Sequence, residues 1–174
     1  MTDTTENAIG TAFYRKHGNT YCIRLVGDIR YYAMSCSLDA FLDALFQRQD
    51  FDEIVVDLTE TNFIDSTNLG LLAKIANFTK QRFDKKTTLI STNENINEVL
   101  DKMGFLEIFT LSQERQPVES AQEQELIIIS TPRREDLAKI VLESHDILCD
   151  MNETNRDMFG GAVKILKQQT ADKI

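Results

Sequence analysis

The stretch Phe63-Ile64-Asp65-Ser66-Thr67-Asn68-Leu69-Gly70-Leu71-Leu72 joins two kinds of periodicity. Before it, Ile54-Val55-Val56-Asp57-Leu58 is short, apolar and rich in β-branched residues, the composition of a strand buried in the middle of a sheet. After it, Leu69, Leu72, Ile75, Ala76, Thr79 and Phe83 recur at helical spacing and form one apolar stripe. Asp65, Ser66 and Thr67 lie between the two and are good helix starters. As an N-cap, Ser66 would accept a hydrogen bond from the free N–H groups of the first turn. Phe63 and Ile64 are expected to anchor that turn in the core. The same position suits an anion, because the first amides of a helix and its dipole point positive charge outward. A phosphate on Ser66 would add about −1.5 to −2 charges there. Ser66 therefore carries two readings, a helix cap and a phosphorylation switch.

Upstream of this junction, Thr11–Lys16 and Thr20–Val26 flank His17-Gly18-Asn19 and read as a hairpin. Tyr21, Ile23 and Leu25 alternate with Cys22, Arg24 and Val26, which implies one buried face. A helix is expected over Ser37–Gln49, capped by Ser37, with Leu38, Phe41, Leu42, Leu45 and Phe46 on one side. Downstream come a strand at Thr87–Ser91 and a short helix capped by Asn93 and closed by Gly104. Ile108–Leu111 then reads as an edge strand. The order is β-β-α-β-α-β-α-β, an α/β fold with a mainly parallel sheet.

The strand Ile54–Leu58 followed by Phe-Ile-Asp-Ser-Thr-x-Leu-Gly-Leu-Leu resembles the STAS domain of bacterial anti-sigma factor antagonists over roughly residues 11–111. The resemblance implies a STAS-like mixed β-sheet with helices on one side. It also implies a switch in which the serine matching Ser66 is phosphorylated by a partner anti-sigma factor that is a serine kinase. A serine phosphatase would then remove the phosphate. Unphosphorylated, the chain would bind the anti-sigma factor and so regulate transcription or another signalling output; phosphorylated, it would be released. Asp28, Asp65, Ser66, Thr67, Asn68 and Leu69 would form the partner-binding surface, with Thr67 as the alternative acceptor. The family usually carries a small residue where this chain has Asn68.

With 174 residues and 42% hydrophobic content, the chain can bury a sizeable core and still carry an appendage. Its net charge of −9 argues against nonspecific binding to nucleic acid or an anionic membrane, which both require Lys and Arg. Cys22, Cys36 and Cys149 are far apart and suggest neither a disulfide framework nor a metal site. No cofactor is expected, no run reaches the length of a membrane span, and the chain reads as cytoplasmic. Catalysis is not expected: no G-x-S-x-G elbow surrounds Ser66, and nothing in the sequence brings His17 or His145 to it. A receiver domain built on Asp57 fits poorly, since the first strand ends in Arg15-Lys16 rather than in paired acids.

Four segments are expected: a flexible tail at 1–10, a STAS domain at 11–111, a linker at 112–125 and a C-terminal amphipathic helical extension at 126–174. Within the extension, Leu126–Ile129 is too short to classify and Thr131-Pro132 is a strong helix start. Leu137, Ile140, Val141, Ile147, Leu148, Met151, Met158 and Ile165 mark an apolar stripe, with a break expected at Gly160-Gly161. His145 is placed at the edge of that stripe, and Asn152, Asn155 and Arg156 on a solvated face. The extension either packs on the domain or itself, or offers a surface for a partner or for self-association. The alternative to the switch is therefore a constitutive adaptor acting through the C-terminal helix, with Ser66 only a helix cap.

Overall fold

Strand β2 (Thr20–Ile29) is the axis of the sheet, and its alternation is the one read from the sequence. Tyr21, Ile23, Leu25 and Ile29 are buried, while Cys22, Arg24, Val26 and Asp28 are only half covered. In a computed structural model, which describes residues 10–30, 33–114, 125–127 and 133–171, β2 pairs antiparallel with β1 (Thr11–His17) and parallel with β3 (Glu53–Ile64). Strands β4 (Thr87–Ile90) and β5 (Phe109–Ser112) extend the sheet in parallel, so β5 forms one edge. A short β6 (Glu125–Leu126) pairs antiparallel with β1 at the other edge, giving the order β5-β4-β3-β2-β1-β6. The α/β class and mixed sheet are as expected.

Strand β3 runs well beyond the apolar run that announced it. Its pairing with β2 shifts register between Arg24 and Val26 and again between Gly27 and Asp28. Such irregularities leave backbone groups without ladder partners, and side chains take them up. The Thr61 hydroxyl donates to the Leu25 carbonyl at 2.8 Å, and the Asp57 carboxylate accepts from the Thr59 N–H at 2.9 Å. Gly27, with φ of 82°, supplies the left-handed step that the shift requires. Asp57 is thus buried within the strand, where it serves the backbone. The shifts deliver Ile29 opposite Ile64 and set the level at which β3 ends.

Helix α1 occupies Ala33–Phe46 instead of Ser37–Gln49, and Ser37 is buried inside it instead of capping it. Met34, Ser35 and Cys36 lie ahead of the expected helix start, yet all three are buried, so tertiary contact extends the helix by a turn. Helix α2 (Ser66–Phe83) lies beside it, and Lys74 of α2 bonds Asp39 and Asp43 of α1, each at 2.7 Å. Burial works to lower the Lys74 pKa, but these two bonds outweigh it and hold the ammonium above its ordinary value. Helix α3 (Glu94–Lys102) is capped by Asn93, and Gly104 follows with φ of 78°, both as read. A single turn, α4 (Phe105–Ile108), leads into β5.

Two long helices complete the described chain, α5 (Arg134–Met151) and α6 (Glu153–Ala171). The break lies at Asn152 and not at Gly160-Gly161, which sit inside α6. Asn152 is extended, with φ −163° and ψ 169°, and its side-chain oxygen accepts from the Asn155 N–H at 2.8 Å. An asparagine that bonds the next turn starts a helix, whereas a helical glycine costs only about 1 kcal/mol. Leu137, Ile140 and Leu148 of α5 are buried in the same core as the sheet, and α5 packs along α2 and folds back on α6. Thr131-Pro132, Ile128-Ile129, residues 1–9 of the tail and most of the linker lie outside the described residues.

Candidate functional site

Asp65, not Ser66, caps α2. It is extended (φ −88°, ψ 169°), and its carboxylate oxygen accepts from the Asn68 N–H at 3.0 Å and from the Asn68 side-chain amide at 2.9 Å. Its own N–H donates to the Ile29 carbonyl at 3.1 Å, which ties the start of α2 to the end of β2. The cap also sits where a helix dipole favours negative charge. Ser66 becomes the first helical residue, half-exposed, with its hydroxyl not used in the cap.

That hydroxyl is 2.9 Å from Nε2 of His145, 79 positions along the chain. The other ring nitrogen, Nδ1, is 2.7 Å from the Val141 carbonyl. A carbonyl can only accept, so Nδ1 carries the proton, and in the neutral ring Nε2 is left as an acceptor. In that tautomer the Ser66 hydroxyl donates the hydrogen bond and Nε2 accepts it. The ring is fixed from a third side by Phe159 of α6, edge-on at 5.2 Å between centroids. The sequence reading placed His145 at the edge of a stripe and saw nothing to bring it to Ser66; the packing of α5 on α2 does so.

One turn along, the two helices touch at their backbones. A Cβ on Gly70 would lie 2.5 Å from both the Cβ and the carbonyl oxygen of Ser144. At the far end of α5, the Asn152 and Asn155 side-chain amides donate to the Met103 carbonyl at 3.3 and 3.0 Å, across the end of α3. Asn155 is 0% exposed, so these residues form an internal clamp and not the solvated face expected of them. Gly104 makes room for it, since a Cβ there would lie 2.6 Å from the Asn152 amide nitrogen.

The other residues singled out in the sequence divide into two groups. Thr67, Asn68 and Leu69 are buried, so in this arrangement they lie beneath the Ser66 surface and not on it. Asp65, Ser66 and Asp28 reach solvent in part, and Asp28 pairs with Arg30 at 3.1 Å. Phe63 does not enter the core as expected: it is 40% exposed, with the Arg30 guanidinium 4.3 Å above its ring, while Ile64 does the anchoring. No group of three or more His, Cys, Asp or Glu that could hold a metal ion occurs among the described residues, and no described helix is long and apolar enough to cross a membrane.

The model of the STAS domain family matches residues 13–118, which is more than half of the chain. The chain belongs to the STAS domain family. Comparison with curated protein sequences finds no match. Among solved structures, the anti-sigma factor antagonist SpoIIAA in its unphosphorylated form is 16% identical, with a TM-score of 0.51. That match covers 60% of this chain and 89% of that one. The Bacillus cell fate determinant SpoIIAA in its phosphorylated form is also 16% identical, with a TM-score of 0.49, covering 60% of this chain and 92% of that one. At this identity the likeness is one of fold. The STAS match ends before α5, so the serine of the STAS motif meets a histidine supplied from outside the STAS segment. Ser144 and Gly70 are site residues to which sequence reasoning gave no role, and His145 is one it named but did not bring to Ser66. A small residue on the α5 stripe (Ser144 between Ile140 and Leu148) and a glycine inside α2 are the signals that pointed to a close crossing.

Proposed function

We propose that this STAS protein is an anti-sigma factor antagonist of a partner-switching pathway, with Ser66 as its phosphorylation site. Unphosphorylated, it binds an anti-sigma factor that is also a serine kinase; phosphorylation of Ser66 releases it, and a serine phosphatase restores it. The switch is assigned to the domain at 11–111, and the chain acts in the cytoplasm as a substrate of these enzymes and not as a catalyst. The observation that carries the reading is the position of Ser66. Asp65 has taken over the cap, so the half-exposed Ser66 hydroxyl stands at the positive end of α2, bonded to His145 and not to the helix's own amides, where a phosphate is electrostatically tolerated. Asp28, Asp65 and Ser66 form the partner surface, and Thr67, Asn68 and Leu69 hold it in place from below. A dianion that becomes buried against a partner without a counter-charge costs several kcal/mol, enough for a hundredfold loss of affinity.

The test is capture of partners from the native cytoplasm with wild type, Ser66→Ala and Ser66→Asp as baits, with mass spectrometry of both partners and bait. The switch predicts a kinase-like partner retained by Ala and lost by Asp, with phosphate on Ser66 of the wild type. The same partners on all three baits, and an unmodified Ser66, would sink it. A second reading, a constitutive adaptor acting through the C-terminal helix, draws on the outer face of α6, where Met158 and Ile165 are 58% and 57% exposed. It predicts capture that depends on those two residues and is indifferent to Ser66.

A further inference from the structure

Helix α5 occupies the approach to the one hydroxyl on which the switch depends. Besides the apolar face that α5 buries against the core, three contacts hold it there, each at a different level of α2 and α3. The backbones cross closely where Ser144 meets Gly70, one turn along α2 from Ser66. The His145 ring, one residue further on, accepts a hydrogen bond from the Ser66 hydroxyl at 2.9 Å. The Asn152 and Asn155 amides fasten the end of α5 to the Met103 carbonyl. Only the second contact involves an atom that phosphorylation would change.

Phosphoryl transfer to Ser66 needs the γ-phosphorus of a nucleoside triphosphate about 3–3.5 Å from Oγ and in line with the bond that breaks. The imidazole already fills one side of that space. In the transfer the Oγ–P bond forms, the bond to the leaving nucleoside diphosphate breaks, and the Oγ proton passes to a base of the kinase. The ester oxygen that remains has no hydrogen to donate. The phosphate oxygens must then take space that Nε2, 2.9 Å from Oγ, now fills, while the ring is held from behind by the bond of Nδ1 to the Val141 carbonyl. A buried acceptor that loses its donor is destabilising, and here the loss falls at the centre of the α5–α2 crossing.

We propose that the α5–α6 hairpin is an intrachain latch over Ser66: the Ser66–His145 hydrogen bond closes it, and phosphorylation of Ser66 opens it. The latch rests on the reading of Ser66 as a modified residue, and it adds that the modification is transmitted to the hairpin. It also sets the order of events at the site. The closed hairpin screens Ser66, so a kinase acts faster on chains whose hairpin is undocked.

The experiment is amide hydrogen exchange on the full-length protein, with phosphoserine placed at position 66 by suppressor-mediated incorporation. Amides of α5 are expected to exchange ~10-fold faster or more than in the unmodified chain, while β2, β3 and β4 keep their protection. His145→Ala and Ser144→Arg, without phosphate, are expected to loosen α5 in the same way. His145→Gln restores an acceptor to Ser66 and is expected to return part of the protection. Unchanged or slower exchange of α5 in the phosphoserine protein would overturn the latch; slower exchange would mean that the phosphate strengthens the contact between α5 and α2. Loss of protection throughout the sheet in Ser144→Arg would make that variant a folding defect, and the phosphoserine and His145→Ala proteins then decide the matter. Mass spectrometry of the native protein separates this outcome from the function itself. Phosphate on Ser66 with α5 still protected refutes the latch alone, and absence of phosphate refutes the switch.

Discussion

The two ends of α2 are held by opposite kinds of chemistry. At its C-terminal end, Phe78 and Phe83 join Phe46, Phe51 and Tyr21 in an aromatic cluster. Phe46 and Phe78 stack at 3.9 Å, and Phe51 meets Tyr21 and Phe83 edge-on at 5.2 and 5.4 Å. The Arg82 guanidinium lies over three of these rings and donates to the Phe46 carbonyl at 2.9 Å. At its N-terminal end, α2 is held by a carboxylate cap, one hydroxyl–imidazole bond and a glycine crossing. Aromatic burial is non-directional and scales with area, so no single atom governs it. A hydrogen bond depends on one proton, and one modification removes it. The contrast separates a permanent attachment within the STAS fold from a removable one made by a segment outside it.

The largest effect should come from the aromatic end. Phe51→Ala is expected to cost about 3–5 kcal/mol in urea unfolding, because it removes a buried ring that the neighbouring rings cannot collapse to replace. A loss below about 1 kcal/mol would mean that the cluster is loosely packed, and the contrast with the other end would fail. Gly70→Val comes next, at about 1–3 kcal/mol, since its side chain must displace Ser144. Here the pattern matters more than the size: hydrogen exchange should accelerate in α5 and α6 first, with β2 and β3 still protected. Acceleration spread evenly over the molecule would show that the hairpin and the sheet unfold as one unit.

These two ends also differ in how far the sequence exposed them. Strand β2, the stripe of α2, the Asn93 cap and the turn at Gly104 were legible because each is set by local chemistry: alternation, helical spacing, a side-chain cap, a positive φ. Helix α1 was misjudged by one turn because Ser35 and Cys36 are neutral in any local pattern and are helical only where the fold buries them. The cap of α2 was assigned to Ser66, although Asp65 is an equally good cap one residue earlier; no local rule chooses between neighbours that both qualify. The Ser66–His145 contact could not be read at all. It is a tertiary event between residues 79 apart, and the residues that enforce it, Gly70 and Ser144, owe their importance to lacking bulk. Asn155 was read as solvated because it is polar, whereas its partner is a backbone carbonyl, which no side-chain pattern records.

The reassigned cap can be tested at the next level of effect. Asp65→Ala should cost about 1 kcal/mol and speed exchange of the Asn68 amide, whose acceptor it removes. Ser66→Ala should leave that amide protected, because the cap stays intact. Faster exchange at Asn68 in Ser66→Ala but not in Asp65→Ala would return the cap to Ser66 and weaken the case that its hydroxyl serves modification and not the helix start.

The smallest effect concerns two buried thiols, one in each region. Cys36 lies on α1 within the STAS segment and Cys149 on α5 in the hairpin, and burial pushes the pKa of both above that of a free cysteine. The thiolate is the reactive form, so at pH 8 both should react several-fold more slowly than free cysteine with a disulfide reagent. Both rates should still be rising at a pH where that of free cysteine has levelled off, because burial moves the folded-state pKa upward. In His145→Ala, Cys149 should gain reactivity while Cys36 keeps its slow rate, since only the hairpin attachment is weakened. Equal acceleration of both thiols would mean that α5 is an integral part of the core around α1, whose Cys36 also feels Asp136 of α5. The boundary between permanent and removable would then run through α6 instead of between α2 and α5.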